Sequence, residues 1–148
     1  MKHYVAATLL AVSATTAWAE NITKPSPLSV DETIDRLEAA ATGAGATVFA
    51  RVDHAEGAES VGKSIPDATL LVFGNPALGT VAMEADLRAG LELPLRVLAY
   101  QDGDGNTQVV YSPAEDLFAG LDIPADAEVV AKVNGALKAL TDKAVAAE

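Results

Sequence analysis

The sequence predicts an α+β fold, a two-layer α/β sandwich with a mixed sheet and helices packed on that sheet. Three observations lead to this prediction. Helical and strand-like segments alternate along the chain, a hairpin signature joins the last two strands, and half of the 148 residues are hydrophobic, which is enough for a buried core. Because the sequence contains neither an internal repeat nor a domain-length linker, we expect one domain.

The N-terminus has the organisation of an export signal. Lys2 gives a basic start, Tyr4–Val12 is a short apolar run, and Ala17-Trp18-Ala19 is an A-x-A cleavage site. The apolar run is too short, and too rich in Ser and Thr, to span a membrane. A native first helix is the alternative, but the absence of acidic residues before Glu20 favours a signal. We therefore predict cleavage after Ala19 and a periplasmic or secreted location.

The charge and the cysteine content exclude several classes of partner and site. The chain carries 21 acidic and 10 basic residues, a formal net charge of −11, which repels nucleic acid and anionic lipid. It has no cysteine, so disulfides and thiolate metal sites are excluded. We expect no cofactor, no metal and no nucleic acid. The partners that stay open are a small polar or anionic ligand and a second copy of the chain in a homodimer.

The first elements are predicted from capping and spacing. Residues 20–28 contain two prolines and form a linker or a short edge strand. Ser29 and Glu32 form a capping box at the start of a helix, which ends near Gly43. The apolar positions of this helix lie at Val30, Ile34, Leu37 and Ala41. Thr47–Val52 is a predicted strand with Val48, Ala50 and Val52 on one face.

Further elements follow in the same alternation. Asp53 caps a short helix, with Glu56 three residues later. The nearly continuous apolar run Ala68–Phe73 predicts a central strand that is buried on both faces. Leu95–Gln101 and Thr107–Tyr111 flank the turn DGDGN, and this pairing predicts a hairpin.

The C-terminal part is predicted to be helical. Ser112–Glu115 starts a short helix with Pro113 at its first helical position. A long amphipathic helix follows from Asp126, and its apolar stripe must be covered by the same domain or by another subunit. The stripe consists of Val129, Val133, Leu137 and Leu140. These elements divide the chain into a signal (1–19), a linker or edge strand (20–28), a domain (29–121) and a C-terminal helix (122–148).

Three stretches of this sequence are similar to the family called domain of unknown function 302. They are SPLSVDETIDRLEAAATGAGATVFARVDHAEGA, LLVFGNPALGTVAM and LPLRVLAYQDGDGNTQVVYSP. The resemblance runs from about Ser26 to about Leu121. Its most specific pieces are Asp53-His54-Ala55, Phe73-Gly74-Asn75-Pro76, Leu93-Pro94 and the hairpin that ends at Tyr111. The resemblance implies a small single α/β domain, often exported, and implies no reaction.

The stretch LLVFGNPALGT at residues 70–80 partly matches a phosphate-binding loop. The lysine of that motif is missing and Thr80 comes one position early, so we interpret the stretch as a strand that turns into a helix. Asn75 would cap this helix, Pro76 would take its first position, and Gly90 would close it. The free amides of a helix N-terminus favour a ligand, and Thr80, Met83 and Glu84 follow on the helix. Alternatively, Asn75 only caps and Met83 only packs.

Two further patterns have a functional and a structural interpretation. His54, beside Asp53, is a candidate base or ligand, or else a surface histidine at a helix start. Asp102, Asp104 and Asn106 match the first half of a calcium loop, but a tight hairpin turn needs the same residue types.

The sequence favours a non-catalytic module that binds a small ligand or a protein in the periplasm. The alternative is an enzyme that uses His54 with a neighbouring carboxylate as acid and base, and no catalytic residue is assigned. We expect the helix that starts at Pro76 to point its amides into a pocket that is also lined by His54 or Tyr111. The candidate ligand-binding residues are Asp53, His54, Asn75, Thr80, Met83, Glu84 and Tyr111.

Overall fold

A computed structural model describes residues 20–147; the predicted export signal, residues 1–19, lies outside the described residues. Within these residues, five strands and five α-helices follow one another, with one 3₁₀ helix before the fourth strand. In chain order they are β1 (Ile22–Ser26), α1 (Val30–Gly43), β2 (Thr47–Asp53), α2 (His54–Glu59), β3 (Ala68–Gly74), α3 (Pro76–Ala85), the 3₁₀ helix (Leu87–Leu91), β4 (Leu95–Gln101), β5 (Thr107–Tyr111), α4 (Ala114–Leu117) and α5 (Glu128–Ala144).

The strands form one sheet in the order β1-β5-β4-β3-β2, and every neighbouring pair is antiparallel. The α+β class and the two-layer arrangement are confirmed, but the sheet is antiparallel throughout and not mixed. The reason lies in the connections. The segments between β2, β3, β4 and β5 each bring the chain back at the end of the sheet where it left, so each next strand runs in the opposite direction. Among the described elements, only α1 crosses the sheet, and it joins the two edge strands β1 and β2, which do not pair.

One face of the sheet carries the helices and the core. Leu71 and Phe73 of β3 are fully buried on this face, together with Val97 of β4 and Val109 of β5. The alternate residues of β3 point to the opposite face and are only half-buried. The prediction that this strand is buried on both faces is therefore wrong, because helices cover only one face of an antiparallel sheet of this kind.

A β-bulge interrupts β2. Val48 pairs with Phe73, but Ala50 pairs with Val72, so one extra residue, Phe49, is inserted between them. Because side chains alternate between faces, the insertion moves Ala50 and the following residues to the other face. The prediction that Val48, Ala50 and Val52 share a face is thus wrong. The bulge leaves the Phe49 side chain at the edge of the sheet, beside the end of β3.

The predicted helix boundaries hold in most places. The capping box of Ser29 and Glu32 is present, and residues 20–28 contain an edge strand, β1. α3 ends at Ala85, earlier than Gly90, because Asp86 starts the separate 3₁₀ helix. Pro113 precedes α4 as its N-cap and does not take the first helical position.

The stripe of α5 is buried within the chain. Val129, Val133, Leu137 and Leu140 belong to the same buried cluster as Ile34 of α1. The C-terminal helix is therefore part of the one hydrophobic core.

The edge strand β1 is fastened to α5 by charged groups. Lys24 Nζ lies 2.6 Å from Asp142 Oδ1 and 2.7 Å from Thr141 Oγ1. Lys138 Nζ lies 2.6 Å from Asp142 Oδ2. Hydrogen bonds from Lys138 and then from Lys24 lower the pKa of the Asp142 carboxyl to about 2. The pair of lysines thus keeps this carboxylate charged and holds β1 against the helix layer.

Candidate functional site

A cavity of about 280 Å³ opens at the end of the sheet where β3 leads into α3. Its walls come from α3, the 3₁₀ helix, the segment 93–95 and the bulge of β2. The apolar side chains that line it include Phe49, Leu78, Met83, Leu93, Phe118 and Val133. The cavity therefore reaches from the exposed bulge down to α5, which contributes Val133.

Three glycines shape the walls of the cavity. A Cβ atom on Gly74 would lie 3.4 Å from Pro94 Cβ and 3.7 Å from Phe49 Cε2. A Cβ atom on Gly79 would lie 3.5 Å from Leu93 Cδ1, and one on Gly90 would lie 3.4 Å from Met83 Sδ. None of the three glycines has a positive φ. Their contribution is therefore the missing side chain, because a Cβ atom at each would already be in van der Waals contact with the neighbouring wall.

The first amides of α3 are occupied by hydrogen bonds within the chain. Ala77 N donates to Asn75 Oδ1 at 2.9 Å, while Leu78 N and Gly79 N donate to Asn75 O at 3.0 and 2.9 Å. Pro76 has no amide hydrogen. The expected free amides are absent from this first turn, and the prediction that they point at a ligand is wrong. Pro76 supplies no donor, and the other amides of the first turn are bonded to Asn75, so no donor is left for an anion.

Two polar side chains stand at the mouth of the cavity. Asn75 accepts with Oδ1, and its Nδ2 makes no hydrogen bond to any other residue in the range 20–147. The Thr80 hydroxyl also lines the mouth, and within the same described range it has no hydrogen-bond partner. Both residues are exposed, and Met83 lies in the wall beside them. Asn75, Thr80 and Met83 are thus three predicted site residues that the structure brings together.

The other predicted residues lie elsewhere. Asp53 pairs with Thr69 at the start of β3, so His54 lies at the end of the sheet opposite to the cavity. Tyr111 is buried, and its ring centroid lies 5.7 Å from Lys24 Nζ. Glu84 is exposed on α3 and does not contribute to the cavity wall. The prediction that Asn75 shares a pocket with His54 or Tyr111 is therefore wrong. A separate ligand role for each of these residues stays a prediction.

Asp53 has a structural task next to His54. Its Oδ1 accepts the Glu56 amide at 2.9 Å and caps α2. His54 itself is exposed at the first position of that helix. No hydrogen bond or ion pair joins the His54 side chain to another part of the described chain. The geometry thus places no oriented acid–base pair at this point.

The turn DGDGN is built around Asp102. Its Oδ1 accepts the amides of Asp104 and Asn106 at 3.0 and 2.9 Å, and its Oδ2 accepts Gln108 Nε2 at 2.9 Å. The bond from Gln108, followed by the backbone bonds, lowers the pKa of the Asp102 carboxyl. Gly105 has φ +82°, the left-handed conformation that such a turn requires. These contacts account for the residue types through the hairpin alone. Nowhere in residues 20–147 do three His, Cys, Asp or Glu side chains lie together as a metal site.

A buried carboxylate fixes the 3₁₀ helix that forms one wall. Asp86 accepts Arg88 Nη2 at 2.6 Å and the Asp122 amide at 3.0 Å. The hydrogen bond from the Arg88 side chain, followed by those from the backbone amides of Asp122 and Arg88, holds the pKa of the Asp86 carboxyl far below its usual range. The wall that contains Gly90 is thereby tied to the loop before α5.

Sequence reasoning missed much of the cavity wall. Nothing in the local pattern indicated that Phe49 is bulged or that Phe118 lies nearby. A usable indication did exist, because two of the most specific pieces of the family resemblance, Phe73-Gly74-Asn75-Pro76 and Leu93-Pro94, meet here. The Leu93–Pro94 peptide bond is cis. Their meeting at one cavity links the resemblance to this site.

The fold and the cavity define a class of protein, a small two-layer α+β domain with an apolar pocket at one end of an antiparallel sheet. The chain belongs to the family described as domain of unknown function DUF302, whose match spans residues 22–144. This span continues past Leu121, where the family domain was expected to end, and it includes α5. The C-terminal helix therefore belongs to the family domain.

Similar proteins are found among solved structures and among curated sequences. A crystal structure of an uncharacterized conserved DUF302 protein from Bacillus stearothermophilus has a TM-score of 0.76 and 24% identity, covering 84% of this chain and 97% of that chain. At this identity the likeness supports the fold alone.

The curated relatives are longer proteins. The Fluoride-specific ion channel FluC 1 of Brucella suis biovar 1 is 40% identical over 116 residues, which is 77% of this chain and 46% of that protein. FluC 2 of Brucella melitensis biotype 1 is also 40% identical over 116 residues, with 43% of its length covered. This chain thus spans less than half the length of these relatives. Of the helices between residues 20 and 147, none has the length and apolar character needed to cross a membrane.

Proposed function

We propose that this chain is an exported, non-catalytic binding module that takes a small apolar group into the cavity beside α3. One observation carries the proposal, namely the open apolar cavity of about 280 Å³ whose wall lacks side chains at Gly74, Gly79 and Gly90. Ligand pockets are typically apolar clefts of roughly 300–1,000 Å³ with a few polar groups at fixed points. The cavity, at about 280 Å³, lies just below the lower end of that range.

The surroundings of the cavity support a binding role. Phe49 in its wall is 58% exposed, and Leu87 and Leu91, which flank Gly90 on the 3₁₀ helix, are 82% and 81% exposed. A large exposed apolar side chain in the wall of a cavity, as at Phe49, favours a binding role, because it gives a ligand an apolar surface to contact. A β-bulge is also a common means of directing a side chain next to a site, as it does for Phe49 here.

The ligand proposed here is not an anion. The first-turn amides of α3 are occupied, and no Lys, Arg or His belongs to the wall formed by the described residues. For the same reason we do not extend the fluoride named in the relatives to this cavity. An enzyme that uses His54 is not proposed either, since Asp53 caps α2 and no carboxylate is bonded to His54 in the described chain.

Export is part of the proposal and has its own test. We expect the protein recovered from the periplasm of its host to begin at Glu20, because the A-x-A motif ends at Ala19. Intact-mass measurement of the periplasmic fraction checks this. Recovery of the full 148-residue species from that fraction would overturn the export part alone.

Filling the cavity should abolish binding of an apolar probe. Gly79 lines the cavity from α3, and a Cβ atom there would already lie 3.5 Å from Leu93 Cδ1, so Gly79→Leu fills the space between α3 and Leu93. We expect toluene to raise the melting temperature of the wild-type protein but not that of Gly79→Leu, because a ligand that binds only the folded state stabilises it. Thermal unfolding at increasing toluene concentration measures the effect.

Gly135 supplies the matched control. It lies in the interior of helix α5, and a Cβ atom there meets nothing within 4 Å. Gly135→Leu should therefore respond to toluene as the wild type does. Sodium fluoride, compared with sodium chloride at equal ionic strength, should shift none of the three proteins. An equal toluene response in Gly79→Leu and Gly135→Leu would remove the cavity as the site.

A further inference from the structure

We infer that the ligand of this cavity is an uncharged amphipathic molecule, with one aromatic ring or a similar alkyl group inside and a hydrogen-bond acceptor at the mouth that meets Asn75 Nδ2. This inference rests on the proposed function and adds the chemical class of the ligand. Three features of the site carry it: the size of the cavity, the polar groups at its mouth, and the absence of compensating charge in its described wall.

The size of the cavity limits the apolar part of the ligand. An apolar cavity of about 150 Å³ is enough to bind benzene. The present cavity of about 280 Å³ therefore accommodates one ring with a short substituent, and its aromatic walls, Phe49 and Phe118, suit a ring by edge or offset contacts.

The mouth of the cavity selects the polar end of the ligand. Asn75 Oδ1 is fixed by the Ala77 amide, which orients the side-chain amide and leaves the Nδ2 hydrogens as donors. Thr80 lies five residues further along and also lines the cavity, and its hydroxyl can donate or accept. A ligand with a carbonyl or amide head can thus bond at the mouth while its ring stays inside.

The charge of the site disfavours ionic ligands. A carboxylate head would lose its hydration on entering the site. The described wall offers neither a cation nor a free backbone amide in exchange. A cationic head would meet no carboxylate in the described wall of the cavity, and Glu128, on the other side of Asn75, is already paired with Lys132 at 2.8 Å. The overall charge of −11 further disfavours anions at this surface. Uncharged ligands therefore lose the least solvation free energy on entering this site.

Three probes of nearly equal shape test this inference, namely benzamide, benzoate and benzamidinium. We expect benzamide to bind the wild type about three- to tenfold more tightly than toluene, the range given by one hydrogen bond. Benzoate and benzamidinium should bind at least tenfold more weakly than benzamide. Dissociation constants come from ligand-detected NMR titrations at constant ionic strength.

An isosteric substitution tests the role of the asparagine. Asn75→Asp keeps an oxygen for the Ala77 amide, so the cap survives, but it removes the Nδ2 donor. The advantage of benzamide over toluene should disappear in this variant. Thr80→Val serves as the comparison, since it keeps the side-chain volume and removes only the hydroxyl at the mouth.

The outcomes separate this inference from the proposed function. If toluene binds and benzoate binds as tightly as benzamide, the ligand class is wrong and the cavity remains a site. Equal benzamide affinities of wild type and Asn75→Asp would overturn the role of Asn75. If neither toluene nor benzamide binds the wild type, the proposed function itself fails.

Discussion

Replacing Leu137 with aspartate is expected to unfold the domain or to remove most of its stability. Leu137 is 1% exposed and lies in the buried cluster with Ile34 and Leu37 of α1. Truncating a buried leucine to alanine already costs about 2–5 kcal/mol, and a buried carboxylate without a partner adds a further penalty. Small domains have only about 5–15 kcal/mol of stability in total. Urea unfolding followed by circular dichroism measures the loss.

A charge on the exposed face of the same helix is the control. Ala131 is exposed on α5, so Ala131→Asp adds the same group without burying it, and its unfolding midpoint should stay close to wild type. From the sequence, the apolar stripe of α5 could be buried either by the same domain or by another subunit. In the structure it packs against α1 of the same chain. A wild-type midpoint for Leu137→Asp, combined with dissociation of an oligomer in sedimentation, would show instead that a subunit interface buries the stripe.

Local signals predicted the elements of this fold well. The capping box at Ser29, the cap at Asp53 and the proline at the start of α3 act within four residues, and all three appear as expected. The hairpin of β4 and β5 also lies at the predicted residues, because its turn sequence and its flanking strands are contiguous. These signals are readable from the sequence because each hydrogen bond depends only on the types of residues that are close together in the chain.

The arrangement of the strands could not be predicted in the same way. Strand order and direction depend on pairings between distant segments, and a helix between two strands is compatible with either direction. The bulge at Phe49 was hidden for a related reason. The alternation of Val48, Ala50 and Val52 fits a regular strand, and only the register against β3 reveals the inserted residue.

The antiparallel sheet also explains the partial success at the site. In a parallel sheet the carboxyl ends of all strands meet at one edge, so the residues that follow them come together. In this sheet β2 and β3 run in opposite directions, so their carboxyl ends lie at opposite ends of the sheet. His54 and Asn75 each follow a strand and are therefore far apart. Asn75, Thr80 and Met83 meet because they belong to one turn and the helix after it.

Replacing Phe118 with alanine should weaken the fold and enlarge the site in one step. Phe118 is 2% exposed, yet it also lines the cavity. A buried phenylalanine truncated to alanine costs about 3–5 kcal/mol, part of which comes from the space left behind. Here that space joins an existing cavity, so we expect it to stay open to a ligand. The milder Phe118→Leu keeps the measurement possible if the alanine variant does not fold.

The size of the preferred ligand should change together with the stability. Naphthalene, with two fused rings, should raise the melting temperature of Phe118→Ala more than that of the wild type, since the ligand fills the new space and regains part of the lost contact. Phe73→Ala is the matched control, because Phe73 is 1% exposed in the same core but does not line the cavity. This variant should lose a similar amount of stability without gaining a response to naphthalene. Equal naphthalene shifts in the two alanine variants would mean that the probe binds generally loosened protein, and the cavity beside α3 would no longer be needed to explain binding.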